Sequence, residues 1–76
     1  MWNKGTVNVS GRAYDYSAKV YGAGSEFGIG GGRVSKLEIV DAESGKVAAS
    51  YDRGWDVRPG TAIEYAALSA VLDLFE

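Results

Sequence analysis

The stretch Thr6-Val7-Asn8-Val9-Ser10-Gly11-Arg12-Ala13-Tyr14-Asp15-Tyr16-Ser17-Ala18-Lys19-Val20-Tyr21 alternates polar and apolar residues on both sides of one glycine. A period of two, rich in β-branched and aromatic residues, is the pattern of a half-buried strand. Gly11-Arg12 turns the chain, so the two halves read as an antiparallel hairpin. In the second half Tyr14, Tyr16, Ala18 and Val20 share one face, and Asp15, Ser17, Lys19 and Tyr21 share the other.

Working downstream, Gly22 to Gly32 holds six glycines, which predicts a long pliable connection in which regular structure survives only with bends or bulges. Alternation resumes from Val34 to Val40, with Leu37 and Ile39 inward and Lys36 and Glu38 outward. Ser44-Gly45 supplies a turn, and Val47, Ala49 and Tyr51 mark the inner face of a fourth strand. Asp52-Arg53-Gly54-Trp55-Asp56 and Pro59-Gly60 then read as irregular. Thr61 with Glu64 forms a capping box, the start signal of a helix.

The expected fold is α+β, one domain over residues 1–76: a four-stranded antiparallel β-meander followed by one C-terminal α-helix packed on one sheet face. The strands fall at about 5–10, 13–21, 33–41 and 46–52, and the helix at about 61–75.

At 100° per residue the helix carries two apolar stripes. Ile63, Ala67, Ala70, Val71 and Leu74 make one suited to the sheet, while Leu68, Leu72 and Phe75, joined by Tyr65, make a second more than about 100° away. One sheet covers one stripe. The second therefore predicts self-association, with Tyr65, Leu68, Leu72 and Phe75 at a homodimer interface, unless loops or Trp2 or Trp55 fold over it. Asp73 and Glu76 sit at the helix C-terminus, where negative charge is unfavourable.

The 76 residues include no Cys and no His, which removes disulfides, thiol nucleophiles, Ser-His-Asp triads and most zinc chemistry. Eight basic and ten acidic residues give a net charge of −2, so no global field draws the chain to phosphate or to anionic membranes. Met1-Trp2-Asn3-Lys4-Gly5 begins no apolar run of signal-peptide length, and no span of about 18 apolar residues occurs, so the expectation is a cytoplasmic protein with no membrane partner.

Gly28-Ile29-Gly30-Gly31-Gly32-Arg33 invites comparison with phosphate-binding glycine loops, but those lead into a helix and this one leads into a strand. An anion nest assisted by Arg33 and Lys36 is the functional alternative to a loop that merely permits a bulge. Arg53 and Trp55, flanked by Asp52 and Asp56, form the densest cluster of functional residue types. Its structural reading has Trp55 plugging the core, Arg53 paired with a carboxylate and Gly54 making the bend. The chain is read as no enzyme, with no catalytic residue, no metal and no cofactor.

The strings Trp2-Asn3-Lys4-Gly5-Thr6-Val7, Gly24-Ser25-Glu26-Phe27-Gly28-Ile29, Gly32-Arg33-Val34-Ser35-Lys36-Leu37 and Tyr51-Asp52-Arg53-Gly54-Trp55-Asp56 span most of the chain and resemble small uncharacterised bacterial and phage-associated domains. The resemblance implies a stand-alone accessory protein, from a phage or mobile element, and carries no assigned activity.

The leading expectation is a non-enzymatic interaction protein, homodimeric through the helix, with Arg33, Lys36, Arg53 and Trp55 as the surface for an unknown protein partner. The alternative, ranked behind it, is single-stranded nucleic-acid binding on the open sheet face, with Lys19 and Lys36 on phosphates and Tyr21 stacking on bases.

Overall fold

The computed structural model describes residues 2–24 and 26–75. Five strands run in the order β1 (Trp2–Val9), β2 (Arg12–Val20), β3 (Val34–Asp41), β4 (Val47–Asp52) and β5 (Trp55–Val57), followed by α1 (Ala62–Phe75). Each strand pairs antiparallel with the next, so the sheet is a meander with β1 and β5 at its edges. The fold is α+β as expected, with five strands where the alternation predicts four.

The fifth strand arises because Arg53 adopts a positive φ of 56° and closes a tight turn from Tyr51 to its partner Trp55. Left-handed backbone is uncommon at arginine, so the sequence points to Gly54 for the bend and to irregular chain beyond it. β1 starts at Trp2 rather than near residue 5, and its turn is Ser10-Gly11 rather than Gly11-Arg12. Ser10 and Gly11 have φ of 51° and 79°, the double positive φ of a type I′ turn, which matches the twist of a two-residue hairpin.

One sheet face carries the core. Tyr14, Ala18, Leu37, Ile39, Ala49 and Tyr51 are buried there against Ala67, Leu68 and Val71 of α1. The alternation of the sequence places Tyr14, Ala18, Leu37, Ile39, Ala49 and Tyr51 correctly.

The helix starts where the capping box predicts. Thr61 Oγ1 accepts from the Glu64 N–H at 3.2 Å, and Glu64 Oε1 accepts from the N–H groups of Thr61 at 3.1 Å and Gly60 at 2.8 Å. Its far end is closed by Arg33, whose Nε donates to the Phe75 carbonyl at 2.8 Å and whose Nη2 donates to the same oxygen. A cation there offsets the negative helix terminus that Asp73 aggravates. The expectation for Glu76 lies outside the described residues.

The glycine segment is a built turn. Ile29–Gly31 forms a 3-10 turn, and Tyr51 Oη donates to the Phe27 carbonyl at 3.0 Å, tying the segment to β4. A Cβ on Gly28 would stand 1.8 Å from the Gly32 carbonyl oxygen, and one on Gly24 would stand 2.5 Å from that of Gly31. These two glycines are required by close backbone approach, which composition alone reads as pliability. No helix among the described residues is long and apolar enough to cross a membrane.

Candidate functional site

The face of the sheet opposite the helix is open, and its polar row is set by strand register. Trp2 of β1 lies opposite Lys19 of β2, Lys19 opposite Lys36 of β3, and Lys36 opposite Asp52 of β4. Two lysines directly opposite each other repel and work against sheet stability. The chain nevertheless places Lys19 and Lys36 so, in the middle of the row.

Beside them a cleft of about 420 Å³ opens at the corner of the sheet, lined by Lys19, Tyr21, Phe27, Ser35, Lys36 and Arg53. Among the described residues, three cations and two aromatic rings line it and no carboxylate does. Tyr21 and Phe27 are exposed at 47% and 52% although they are large and apolar. Lys19 Nζ lies 5.5 Å from the centre of the Tyr21 ring, within cation–π range. The Tyr21 phenol is held below its ordinary pKa by its hydrogen bond to Lys19, with burial opposing and the charge of Lys36 reinforcing.

The turn that makes β5 also builds this cleft. Arg53 donates its N–H to the Ser35 carbonyl at 3.0 Å, which fixes the arginine beside β3. Asp52 Oδ1 lies 3.8 Å from Lys36 Nζ and 3.6 Å from Arg53 Nε. These are long, exposed contacts that orient the cations and contribute little stability. A second groove on the open face shares Lys36 and runs to Trp2 and Lys4, but Glu38, Asp52 and Asp56 give its β4 side the opposite sign. The cations of the cleft are Lys19, Lys36 and Arg53, and Trp2, itself 53% exposed, stands at the far end of the same row.

Of the four residues expected to form a partner surface, the structure brings Lys36 and Arg53 together in the cleft and takes the other two elsewhere. Arg33 is turned to the helix end. Trp55 is half-buried, its ring 5.1 Å from that of Tyr51 in an edge-to-face contact, with the Arg58 guanidinium 5.8 Å above it. Phe27 belongs to the loop at residues 22–33 that the sequence offers as a contact surface, but neither it nor Ser35 is singled out there by name. An aromatic in a glycine-rich loop is the only signal of Phe27, and its place beside Tyr21 depends on the Tyr51 tether.

The second helical stripe is largely spent on the sheet. Leu68 is 8% exposed in the core, and Leu72 and Phe75 pack partly buried against it, Phe75 with its ring 5.9 Å from Tyr16. The buried line of α1 runs between the two predicted stripes, because Glu64, Ala67, Leu68 and Val71 face the sheet. What stays outside is Tyr65 on one flank at 55% and Leu74 on the other at 57%. These two residues form no common stripe, so among the described residues no continuous exposed apolar stripe of large side chains runs along the helix.

A third cluster is structural. Arg12 Nε donates to Asp41 Oδ2, while Asp41 Oδ1 accepts from the N–H groups of Glu43 at 2.8 Å and Ser44 at 3.2 Å, holding the β3–β4 turn. No group of three Asp, Glu, His or Cys residues that could hold a metal ion occurs among the described residues.

No curated protein and no solved structure matches the chain. The model of one family, described as Domain of unknown function (DUF7678), matches residues 1–76, and with that coverage the chain belongs to the DUF7678 family.

Proposed function

We propose that the protein is a non-enzymatic binding module that takes single-stranded nucleic acid on the corner of its open sheet face. The observation that carries this reading is the register of Lys19 directly opposite Lys36, a like-charge pair that Asp52 on the far side of Lys36 offsets only in part and that an anion lying between the two lysines would relieve. Exposed Tyr21 and Phe27 in the same cleft supply ring faces for bases, and Arg53 supplies a third cation for the backbone. Trp2, two strand spacings or about 10 Å from Lys36, offers the next stacking position along the row.

The reading needs no global positive charge. Short-range phosphate contacts act within about 10 Å at ordinary salt, so a local group of three cations suffices in a chain of net charge −2. It displaces the unknown protein partner as first choice because cations around stackable rings match a polyanion with bases better than they match an apolar protein surface.

Amide shift mapping with a twelve-nucleotide oligo-dT and an oligo-U of the same length tests the placement. The reading expects shifts grouped at Lys19–Tyr21, Phe27, Ser35–Lys36 and Arg53, with the helix face silent. Shifts centred on α1, or none at millimolar oligonucleotide, would refute it.

A further inference from the structure

The two edges of the sheet are unequal. β5 is three residues long, pairs through a register shift and is followed closely by Pro59, all devices that blunt an edge. β1 is eight residues long, pairs with β2 without any shift and contains no proline.

The direction of its free backbone groups follows from the neighbouring strand. The Ala13 carbonyl accepts from the Ala42 N–H at 3.0 Å, so odd-numbered residues of β2 point their backbone toward β3 and even-numbered ones toward β1. Even residues of β2 pair with odd residues of β1, as Tyr14 does with Val7 and Tyr16 with Gly5. The N–H and C=O groups of Trp2, Lys4, Thr6 and Asn8 therefore point outward along the edge.

We propose that this edge pairs with β1 of a second copy of the chain, antiparallel about a two-fold axis at Gly5, to make one ten-stranded sheet. The four outward residues are symmetric about Gly5. With Gly5 facing its own copy, Trp2 meets Asn8 and Lys4 meets Thr6 in both directions, so every outward group finds a partner, as an isologous interface requires.

Charge supports the second copy over a foreign strand. Thr6 stands opposite Asp15 in register, and Thr6 Oγ1 donates to Asp15 Oδ1 at 2.8 Å on the open face. Pairing about Gly5 therefore sets Lys4 of each copy two strand spacings from the second copy's Asp15, twice over. Among the described residues neither Lys4 nor Asp15 is in an ion pair. Lysine commonly guards an edge against strangers, and here the second copy sets an Asp15 carboxylate across from each Lys4, two such pairs against one diagonal Lys4–Lys4 approach over the axis. On the helix face, the half-buried Tyr16 ring of each copy covers that copy's Gly5, and the two rings meet over the axis.

Sedimentation equilibrium against the 8.1 kDa chain tests the pairing. Native protein is expected to reach twice that mass. Thr6→Pro removes an outward N–H and no backbone bond to β2, losing within the chain only the exposed side-chain hydrogen bond to Asp15, so it should give a folded monomer by circular dichroism. Thr6→Val, which loses that side-chain bond alone, should stay dimeric. Lys4→Glu should weaken dimerisation about tenfold, Asp15→Lys likewise, and the Lys4→Glu/Asp15→Lys pair should restore it. A native monomer at millimolar concentration, a dimer that survives Thr6→Pro, or a double swap that fails to rescue would each overturn the proposal.

Discussion

The ring of Tyr16 occupies the space that a side chain on Gly5 would fill. A Cβ at position 5 would lie 2.7 Å from the Tyr16 hydroxyl oxygen and 2.9 Å from two ring carbons. The same ring meets Phe75 edge to face at 5.9 Å, so one tyrosine covers the edge strand and receives the last turn of the helix. Gly5→Val forces the ring off both. The expected loss is about 1–3 kcal/mol, the usual cost of overpacking, measured by urea denaturation with an unchanged m-value.

Gly28 tests whether the glycine segment is a built turn. Gly28→Ala sets a methyl group against the Gly32 carbonyl backbone, which cannot swing aside as a side chain can. Gly22→Ala meets nothing within 4 Å. Stability by denaturation should fall for Gly28→Ala by about 2 kcal/mol or more and stay within about 0.5 kcal/mol for Gly22→Ala. Equal, small effects would restore the picture of a loose loop.

Two buried carboxylates set the acid limit of stability. Burial pushes Asp41 upward, but the hydrogen bonds from Arg12, Glu43 and Ser44 outweigh it and hold the group below its ordinary 3.8. Glu64 is held below its ordinary 4.5 first by the Gly60 N–H, against burial and with help from Lys46 at 3.5 Å. Folded values below unfolded ones mean that the stabilisation is fully present above about pH 5 and is lost as pH falls through the folded values. Thermal melts between pH 6 and pH 2.5 should show a Tm that is flat at first and then drops. Asp41→Asn with Glu64→Gln should lower the plateau and flatten the slope.

Much of this architecture is legible in the order of the residues alone. Period-two alternation locates the first four strands, and Thr61 with Glu64 locates the helix start, because both signals are local. What stays hidden depends on distant partners. Arg53 takes a left-handed conformation that its residue type disfavours, and β5 and the cleft both follow from it. The helix face is hidden for a similar reason: the two apolar stripes are equally good by periodicity, and only the sheet's small residues, Ala18 and Ala49, let the line between them sink in. Of the cleft, Lys19, Lys36 and Tyr21 fall on one face by alternation, whereas Phe27 lies in a loop to which no period applies.

The helix surplus gives a further check. Leu72 packs partly buried on the core, so Leu72→Glu should lower stability by about 1–3 kcal/mol. It should leave the dissociation constant of any dimer unchanged, as read by sedimentation equilibrium at a temperature where the variant is folded. A selective loss of dimer would return the interface to α1.

The most direct measurement is fluorescence anisotropy of a labelled twelve-nucleotide oligo-dT titrated with protein at several salt concentrations. With three cations at Lys19, Lys36 and Arg53, the slope of log affinity against log salt should be about −2, since single strands release about 0.7 counterion per contact. Lys19→Ala with Lys36→Ala should bring it near −1, and Tyr21→Ala should cost about 1–3 kcal/mol while leaving the slope alone. A flat titration at low salt, or affinity indifferent to all three substitutions, would contradict the open face as a nucleic-acid surface.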